Sequence, residues 1–201
     1  MELPFRDLPQ NLKEKVIEDN RDINVDHDGW EDGVIDNFQY DMKELGLGRV
    51  NVSYTGFWSQ GDGASFTGQV EDTVKFVHGA LGLVAYSKEA LDCLTIDFTR
   101  NSSRYVHENS CDTEVEIDHE DGENVVFTLA GGPGFEITRT LGEIADHVQE
   151  KAEEWRIEQC GELYNNLEEE YEGLRTDEAV EGTIEANDYT YEVDEDGNLV
   201  D

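Results

Sequence analysis

Apolar residues recur along the chain at two different spacings, and each spacing predicts a type of secondary structure. Steps of three and four residues, which place side chains on one helix face, occur near the N-terminus and over the last third of the chain. Alternation of apolar and polar residues, typical of strands with one buried face, fills the middle. The predicted helices cover residues 8–20, 30–45, 71–84, a long stretch from Thr140 to about Tyr171, and 177–186.

The strand-like segments predict a mainly antiparallel sheet. They cover residues 49–58, 64–70, 93–101, 113–119 and 124–130, and a terminal hairpin turns at Asp196-Gly197. Asp121-Gly122 predicts a hairpin between the strands 113–119 and 124–130. The segment "AGGPGF", residues 130–135, then reads as a loop before the long helix, whose start carries a capping box formed by Thr140 and Glu143.

The order of these elements, helices followed by strands and then helices again, predicts the fold class. We expect an α+β protein with N-terminal helices, a mainly antiparallel sheet and a long C-terminal helix. The sequence contains neither an internal repeat nor a clear linker. We therefore expect a single domain that covers residues 1–201.

Charge dominates the composition and excludes some partners. The chain has 49 acidic and 14 basic residues, and its formal net charge is −35. Such a chain repels nucleic acid and anionic membranes unless a cluster of bases overrides the field, and the sequence contains no such cluster. We expect no direct binding of nucleic-acid phosphates and no membrane partner.

Two explanations of the acidity remain open. One is adaptation to a cytoplasm rich in salt, and the other is mimicry of DNA, in which carboxylates take the place of phosphates. Mimicry concentrates charge on one face, whereas salt adaptation spreads it and depletes lysine. Every quarter of this chain is acidic, and lysine is rarer than arginine, which favours a halophilic source.

The remaining composition points to an intracellular protein without a cofactor. The three cysteines, Cys93, Cys111 and Cys160, form no CxxC pair, which argues against a disulfide framework and against zinc. The N-terminus lacks the apolar core of a signal peptide. We expect the protein in the cytoplasm of a host cell.

The stretch from Tyr54 to Gly68 combines glycines and aromatic residues in an otherwise acidic chain. One interpretation is a structural hairpin in which Trp58 and Phe66 pack across the strands. The other is a binding loop that presents polar groups beside glycine amides, which can hold a peptide, a base or an anion. The candidate binding residues of this loop are Trp58, Ser59, Gln60, Asp62 and Ser65.

A second polar stretch, residues 100–111, keeps two arginines and a histidine. One interpretation is a structural salt bridge from Arg100 or Arg104 to nearby acids. The alternative is an electropositive spot that receives a carboxylate or a phosphate. Arg104 and His107 are its candidate binding residues.

Catalytic and metal motifs are missing from the sequence. The segments around His27 and His119 lack the HExxH spacing, and no GxSxG motif occurs. No residue is placed next to a base as a nucleophile would be. The sequence thus nominates no catalytic residue and no metal ligand, and it favours a binding protein over an enzyme.

Several motifs together resemble a known family. The segment "GFWSQGDGASFTG" resembles the signature of a family of small proteins from tailed bacteriophages and prophages, some of which carry the name antitoxin of toxin–antitoxin stability system. The similarity continues, in the same order, in the segments "PFRDLPQNLKEKVIEDN", "DGWEDGVIDNFQYDMKELGL", "SRYVHENS" and "LYNNLEEEYEGLRTDEAVEGTIEANDYTYEVDEDG". Together with the acidity, the resemblance implies a virus or provirus of a halophilic archaeon. Residues 71–92 depart from the family pattern.

Three hypotheses about function follow. The first is an accessory viral protein that binds a host or viral protein, as an antitoxin-like or anti-defence inhibitor. The second is a protein that binds or processes a small molecule or nucleotide at the glycine loop, with Asp62 close to Arg104 or His107 around a cavity. The third is an inhibitor that mimics DNA through the acids of the long helix. The sequence does not predict the oligomeric state.

Overall fold

The computed structural model describes residues 1–120, 122–129, 137–194, 196 and 198–200. Its helices are α1 (Gln10–Asp19), α2 (Asp32–Glu44), α3 (Thr73–Gly79), α4 (Lys88–Leu91), α5 (Leu141–Leu174) and α6 (Asp177–Ala186). Its strands are β1 (Glu2–Pro4), β2 (Leu47–Tyr54), β3 (Ala64–Val70), β4 (Leu94–Arg100), β5 (Cys111–Ile117), β6 (Val126–Leu129), β7 (Ile137–Thr140) and β8 (Thr190–Glu192). Short 3-10 turns cover Phe5–Asp7, Glu108–Ser110 and Gly122–Asn124.

The strands pair in three antiparallel groups. The largest is a four-stranded sheet in the order β2-β3-β4-β5, and β1 pairs with β8 and β6 with β7. This sheet, the N-terminal helices and the long α5 confirm the predicted α+β class. Among the residues described, no helix combines the length and the apolarity that a membrane span needs.

The chain divides into two compact units by its internal contacts. The first unit contains residues 1–33 and 167–201, and the second contains residues 34–166. The expectation of a single domain over the whole chain stays a prediction.

The core of the first unit is built from α1, α6 and the β1–β8 pair. Its buried side chains are Phe5, Leu8, Leu12, Val16, Ile17, Val180, Ile184 and Val193. The apolar stripe predicted for the first helix is therefore the buried face of α1. An ion pair supports this core, because Arg21 donates to Asp177 at 2.5 Å and to the carbonyl of Arg175 at 2.9 Å.

The core of the second unit is a cluster of aromatic rings around Trp155 of α5. The Trp155 ring contacts Phe66 of β3, Phe76 of α3 and Phe98 of β4, at centroid distances of 6.1, 5.0 and 5.9 Å. Phe38 of α2 extends the cluster through an edge contact with Phe66 at 5.2 Å. Such pairs add about 0.5–1.5 kcal/mol each to the free energy gained by burial.

Glutamine side chains cover both edges of the four-stranded sheet. Gln149 of α5 donates to the carbonyl of Thr113 in β5 and accepts from the amide of Val115 at 2.9 Å. Gln39 of α2 donates to the carbonyl of Val50 in β2 at 3.0 Å. Unpaired edge groups invite pairing with other chains, so these contacts satisfy groups that would otherwise promote aggregation.

The pairing predicted around Asp121-Gly122 is wrong. β6 pairs with β7, in a register that matches Phe127 with Arg139, whereas β5 pairs with β4. β7 was missed because it is only four residues long and runs directly into α5. Asp121, the segment 130–135 and Gly197, on which turn and loop predictions fell, lie outside the described residues.

Helix boundaries follow the signals in the sequence with one difference. The predicted capping box starts α5: the amide of Thr140 donates to the Glu143 carboxylate at 2.8 Å, and the amide of Glu143 donates to the Thr140 hydroxyl at 3.1 Å. The helix predicted over 71–84 is shorter, since α3 ends at Gly79. Glycine lacks the side chain that favours a helix, and here it marks the end.

Acidic side chains follow one row along α5. Its members, each four residues after the last and all exposed, are Asp146, Glu150, Glu154, Glu158 and Glu162. A step of four residues rises about 6 Å and turns by about 40°, so the row winds around the helix rather than following a straight line. Like charges at this spacing destabilise a helix. The row is therefore a source of repulsion that salt can screen.

We expect the melting temperature to rise steeply from about 0.1 M to about 2 M KCl, because the screening length falls from about 10 Å at 0.1 M to about 3 Å at 1 M. Differential scanning calorimetry at several KCl concentrations measures it. A melting temperature that does not change with salt would contradict the halophilic explanation and favour mimicry.

The row itself provides a matched test of this repulsion. Glu158→Gln removes one charge between two like charges, so it should raise the melting temperature by about 1 °C at low salt and by less at high salt. Asp177→Asn is the control, and it should change the melting temperature in the opposite direction, because Asp177 forms an ion pair with Arg21 at 2.5 Å. It should lower the melting temperature most at low salt.

Candidate functional site

The two polar stretches of the sequence lie against each other in the second unit. β3 pairs with β2 along its length but with β4 only at Gly68–Phe98 and Gln69–Asp97. The 3-10 turn Glu108–Ser110 contacts β3, and the carbonyl of Val106 accepts from the hydroxyl of Thr55 at 3.5 Å. We call residues 55–63 the glycine loop and residues 101–110 the arginine loop.

Two glycines allow the loops to meet. A Cβ atom on Gly63 would lie 2.6 Å from the Cβ of His107 and 2.9 Å from its Cα, so a side chain does not fit there. Gly61 has a φ of +99°, which favours glycine, and a Cβ atom there would lie 3.0 Å from the Tyr105 ring. Close packing against His107 explains why residue 63 is a glycine, and the positive φ explains why residue 61 is one.

Asp62 braces the glycine loop from within. Its carboxylate oxygen Oδ2 accepts from the amides of Trp58 at 3.0 Å and Ser59 at 2.6 Å. At the base of the loop, the amide of Thr55 donates to the carbonyl of Gly63 at 3.0 Å, and the amide of Gly63 donates to the hydroxyl of Thr55 at 3.3 Å. These bonds hold the backbone that presents Trp58.

His107 stabilises the arginine loop. Its Nδ1 accepts from the amide of Asn109 at 3.0 Å and thereby caps the 3-10 turn that follows. The hydroxyl of Ser110 donates to the carbonyl of His107 at 2.7 Å. The ring of Tyr105 stacks on the imidazole with centroids 6.1 Å apart. The turn and the ring next to it are thus fixed together.

Both arginines of the second stretch bind Tyr105. The guanidinium of Arg104 lies 4.8 Å from the centroid of the Tyr105 ring and donates to its hydroxyl at 2.6 Å. Arg100 donates to the carbonyl of Tyr105 at 3.2 Å. Within the described part of the chain, neither arginine forms an ion pair with a carboxylate. One donor of Arg104 is used, and a guanidinium has five.

Helix α5 supports the loops through two residues that the sequence did not single out. Arg156 is only 2% exposed; it donates to the carbonyl of Glu108 and, at 3.1 Å, to the hydroxyl of Thr113. The Tyr164 hydroxyl donates to the carbonyl of Gly56 at 3.3 Å. The only sequence signal for Arg156 is a base beside an apolar seam position on an acidic helix.

The predicted site residues fall into two groups. Trp58, Ser59 and Gln60 are exposed, whereas Ser65 is buried and its hydroxyl has no hydrogen-bond partner among the described residues. The predicted cross-strand packing of Trp58 on Phe66 is wrong. Trp58 is 66% exposed and Phe66 is buried against the core, because the strand ends at Tyr54 and the side-chain alternation ends with it.

The small-molecule site expected at these loops stays a hypothesis. That hypothesis needs Asp62 to meet Arg104 or His107, but the Asp62 carboxylate accepts from amides of its own loop. Across the described ranges, no group of three or more His, Cys, Asp or Glu side chains is placed to hold a metal ion. The loops instead present a surface.

This surface, which we call the loop surface, consists of Trp58, Arg104 and Tyr105. Trp58 is 66% exposed and Tyr105 44% exposed, on loops that contact each other. Tryptophan, tyrosine and arginine are the residues that most often dominate binding energy at protein interfaces. Their display on braced loops is the feature of the second unit that a partner could use.

Gly63→Ala should destabilise the protein by about 1–3 kcal/mol, because its Cβ would overlap the backbone of the arginine loop. Urea denaturation measures the free energy of unfolding. Gly161→Ala is the control: it lies on an exposed helix position with open space around its Cβ, and should stabilise by up to about 1 kcal/mol. Equal effects of the two changes would contradict the interlocking of the loops.

Asp62→Ala should destabilise the protein by about 0.5–2 kcal/mol, the usual cost of a lost side-chain cap. Asp62→Asn should recover part of this loss, because its amide oxygen can still accept from the loop amides. The exposed Gln60→Ala should stay within about 0.5 kcal/mol of wild type. Thermal denaturation compares the three, and an Asp62→Ala variant as stable as Gln60→Ala would show that the carboxylate braces nothing.

One of the comparisons with known proteins gives a match. Residues 30–177, well over half of the chain, match the family model described as a domain of unknown function, DUF8835. No curated protein and no solved structure is similar enough to match the chain. The matched range contains both loops and the helix that supports them, and the chain belongs to the DUF8835 family.

Proposed function

We propose that this protein is an accessory protein of a virus or provirus and acts by binding a host or viral protein through the loop surface. The exposure of Trp58 on the glycine loop and of Tyr105 on the arginine loop that contacts it carries the proposal. A tryptophan exposed to water loses the free energy that its burial would provide, about 1.5–3 kcal/mol for a large apolar side chain. A partner that covers Trp58 recovers it.

Hydrogen bonds within the protein already brace both loops. The Asp62 carboxylate accepts from the amides of Trp58 and Ser59, and Arg156 holds the arginine loop from α5. Ordering a mobile side chain on binding costs about 0.5–1.5 kcal/mol. Because the stacking of Arg104 on Tyr105 restricts both side chains beforehand, less of this cost remains.

Charge defines what the partner presents. Residues 54–66 and 100–110 contain two acids, Asp62 and Glu108, and two arginines, Arg100 and Arg104, so these segments are neutral within a chain of net charge −35. A partner can approach them without the repulsion that the rest of the protein exerts. We propose that it offers an apolar pocket to Trp58 and a carboxylate to Arg104.

The resemblance to phage proteins and the acidity support a viral source in a halophilic archaeon. An antitoxin-like or anti-defence inhibitor fits this proposal, because such a protein needs a binding surface and no catalytic residues. The protein would then act in the cytoplasm of the host cell.

Trp58→Ala should abolish the capture of the partner while the fold stays intact. Biotinylated wild type and variants would be incubated with lysate of a halophilic archaeon in about 2 M KCl, and the captured proteins quantified by mass spectrometry. Tyr40→Ala is the matched control, since Tyr40 is 64% exposed on α2 of the same unit. It should retain the protein that Trp58→Ala loses.

Two results would overturn the proposal. One is a set of captured proteins that is the same for wild type and Trp58→Ala. The other is a partner lost equally with Tyr40→Ala, which would show that any exposed aromatic residue of the unit causes capture. Circular dichroism of each variant confirms that the fold is retained.

A further inference from the structure

A buried tyrosine in the second unit joins an arginine and a histidine away from the loop surface. Tyr86, between α3 and α4, is 4% exposed. Its hydroxyl oxygen lies 2.5 Å from Nδ1 of His147 on α5 and 3.3 Å from Nη1 of Arg139 on β7. Nε2 of His78 donates to the Tyr86 carbonyl at 2.8 Å and fixes its backbone. We call Tyr86, Arg139 and His147 the tyrosine cluster.

The hydrogen-bond partners determine which groups of the cluster remain available. A guanidinium can only donate, so the Tyr86 oxygen accepts from Arg139. Burial raises the pKa of Tyr86, although Arg139 opposes the shift, and the hydroxyl therefore keeps its proton at neutral pH. Nδ1 of His147 accepts that proton in the tautomer that carries the ring proton on Nε2, and in this tautomer Nε2 can donate to a ligand.

Arg139 and His147 line a common cavity that opens to solvent. Its volume is about 500 Å³, and its lining also includes Ile137, Asp146 and Glu150. Ile137 is 48% exposed and forms an apolar part of the wall. The cavity is thus lined by two nitrogen-bearing side chains, three carboxylates, a threonine and an aliphatic side chain.

Arg139 keeps free donors despite the acids around it. In the described part of the chain it forms no ion pair, although Asp146 and Glu150 line the same cavity. The third acid of the wall, Glu143, accepts from the amide of Thr140 in the capping box. The hydroxyl of Tyr86 holds the guanidinium in place of a carboxylate.

We infer that this cavity binds a small zwitterion of the amino-acid type. Its carboxylate would accept from Arg139 and His147, its ammonium group would lie by Asp146 and Glu150, and its aliphatic part would contact Ile137. An anion without an ammonium group would be repelled by the three carboxylates of the wall, and a cation without a carboxylate would offer the donors of Arg139 no acceptor. Only a ligand with both charges is matched by both sets of groups.

Three probes of the same shape test the charge requirement. Isothermal titration calorimetry in about 1 M KCl would compare L-leucine, 2-hydroxy-4-methylpentanoate, which lacks the ammonium group, and 3-methylbutylamine, which lacks the carboxylate. Leucine should bind at least roughly tenfold more tightly than either analogue. Equal binding of leucine and the hydroxy acid would overturn the inference, as would the absence of leucine binding at millimolar concentration.

Variants test the role of the tyrosine cluster. Tyr86→Phe removes only the hydroxyl that orients Arg139 and His147, and it should weaken leucine binding roughly tenfold. Arg139→Gln, at a half-buried strand position, should weaken leucine binding by the same factor. This variant provides the test if Tyr86→Phe does not fold. The control Tyr40→Ala should bind leucine like wild type. Unchanged affinity in either folded variant of the cluster would overturn the inference.

Discussion

The packing of Trp155 against three phenylalanines fixes the second unit. Phe66, Phe76 and Phe98 come from β3, α3 and β4, so one side chain of α5 joins three elements. With Trp155 in place, the next residue of the helix, Arg156, is directed to the arginine loop, where it binds a carbonyl. The position of the loop surface therefore depends on an aromatic contact in the core. In a chain of net charge −35, this apolar packing also opposes the repulsion between carboxylates.

Most of the acids lie at exposed positions outside the loop surface. The row from Asp146 to Glu162 is exposed along its length and winds around α5, as a hydrated helix face does. A protein that mimics DNA needs carboxylates that follow the path of the phosphates. The single row that winds around α5 does not establish such a path. Trp58 and Arg104, in contrast, belong to segments without net charge. This distribution is the one that the proposed salt adaptation would produce, because such adaptation acts on solvated positions.

Signals between neighbouring residues predicted the helices and most strands of the fold. Strand pairing and side-chain contacts depend on residues that are distant in sequence. The capping box of Thr140 and Glu143 needs only neighbouring residues, and it was found. The pairing of β6 was missed, because a turn signal at Asp121-Gly122 says nothing about a second strand, β7, that competes for the same edge. The contact expected between Trp58 and Phe66 failed for a related reason. Alternation predicts a buried face only while the strand continues, and β2 ends before Trp58.

The same limit applies to the site. Both loops stood out in the sequence, but the reason for Gly63 is its contact with His107, which composition cannot reveal. The structure then separates two roles that the sequence had left as alternatives. Gly63 allows the two loops to meet and Asp62 braces the glycine loop, whereas Trp58 and Arg104 are exposed. The structural turn and the proposed binding surface thus belong to different residues of these loops, and the proposed surface depends on the turn, because Trp58 lies on a backbone that Asp62 braces.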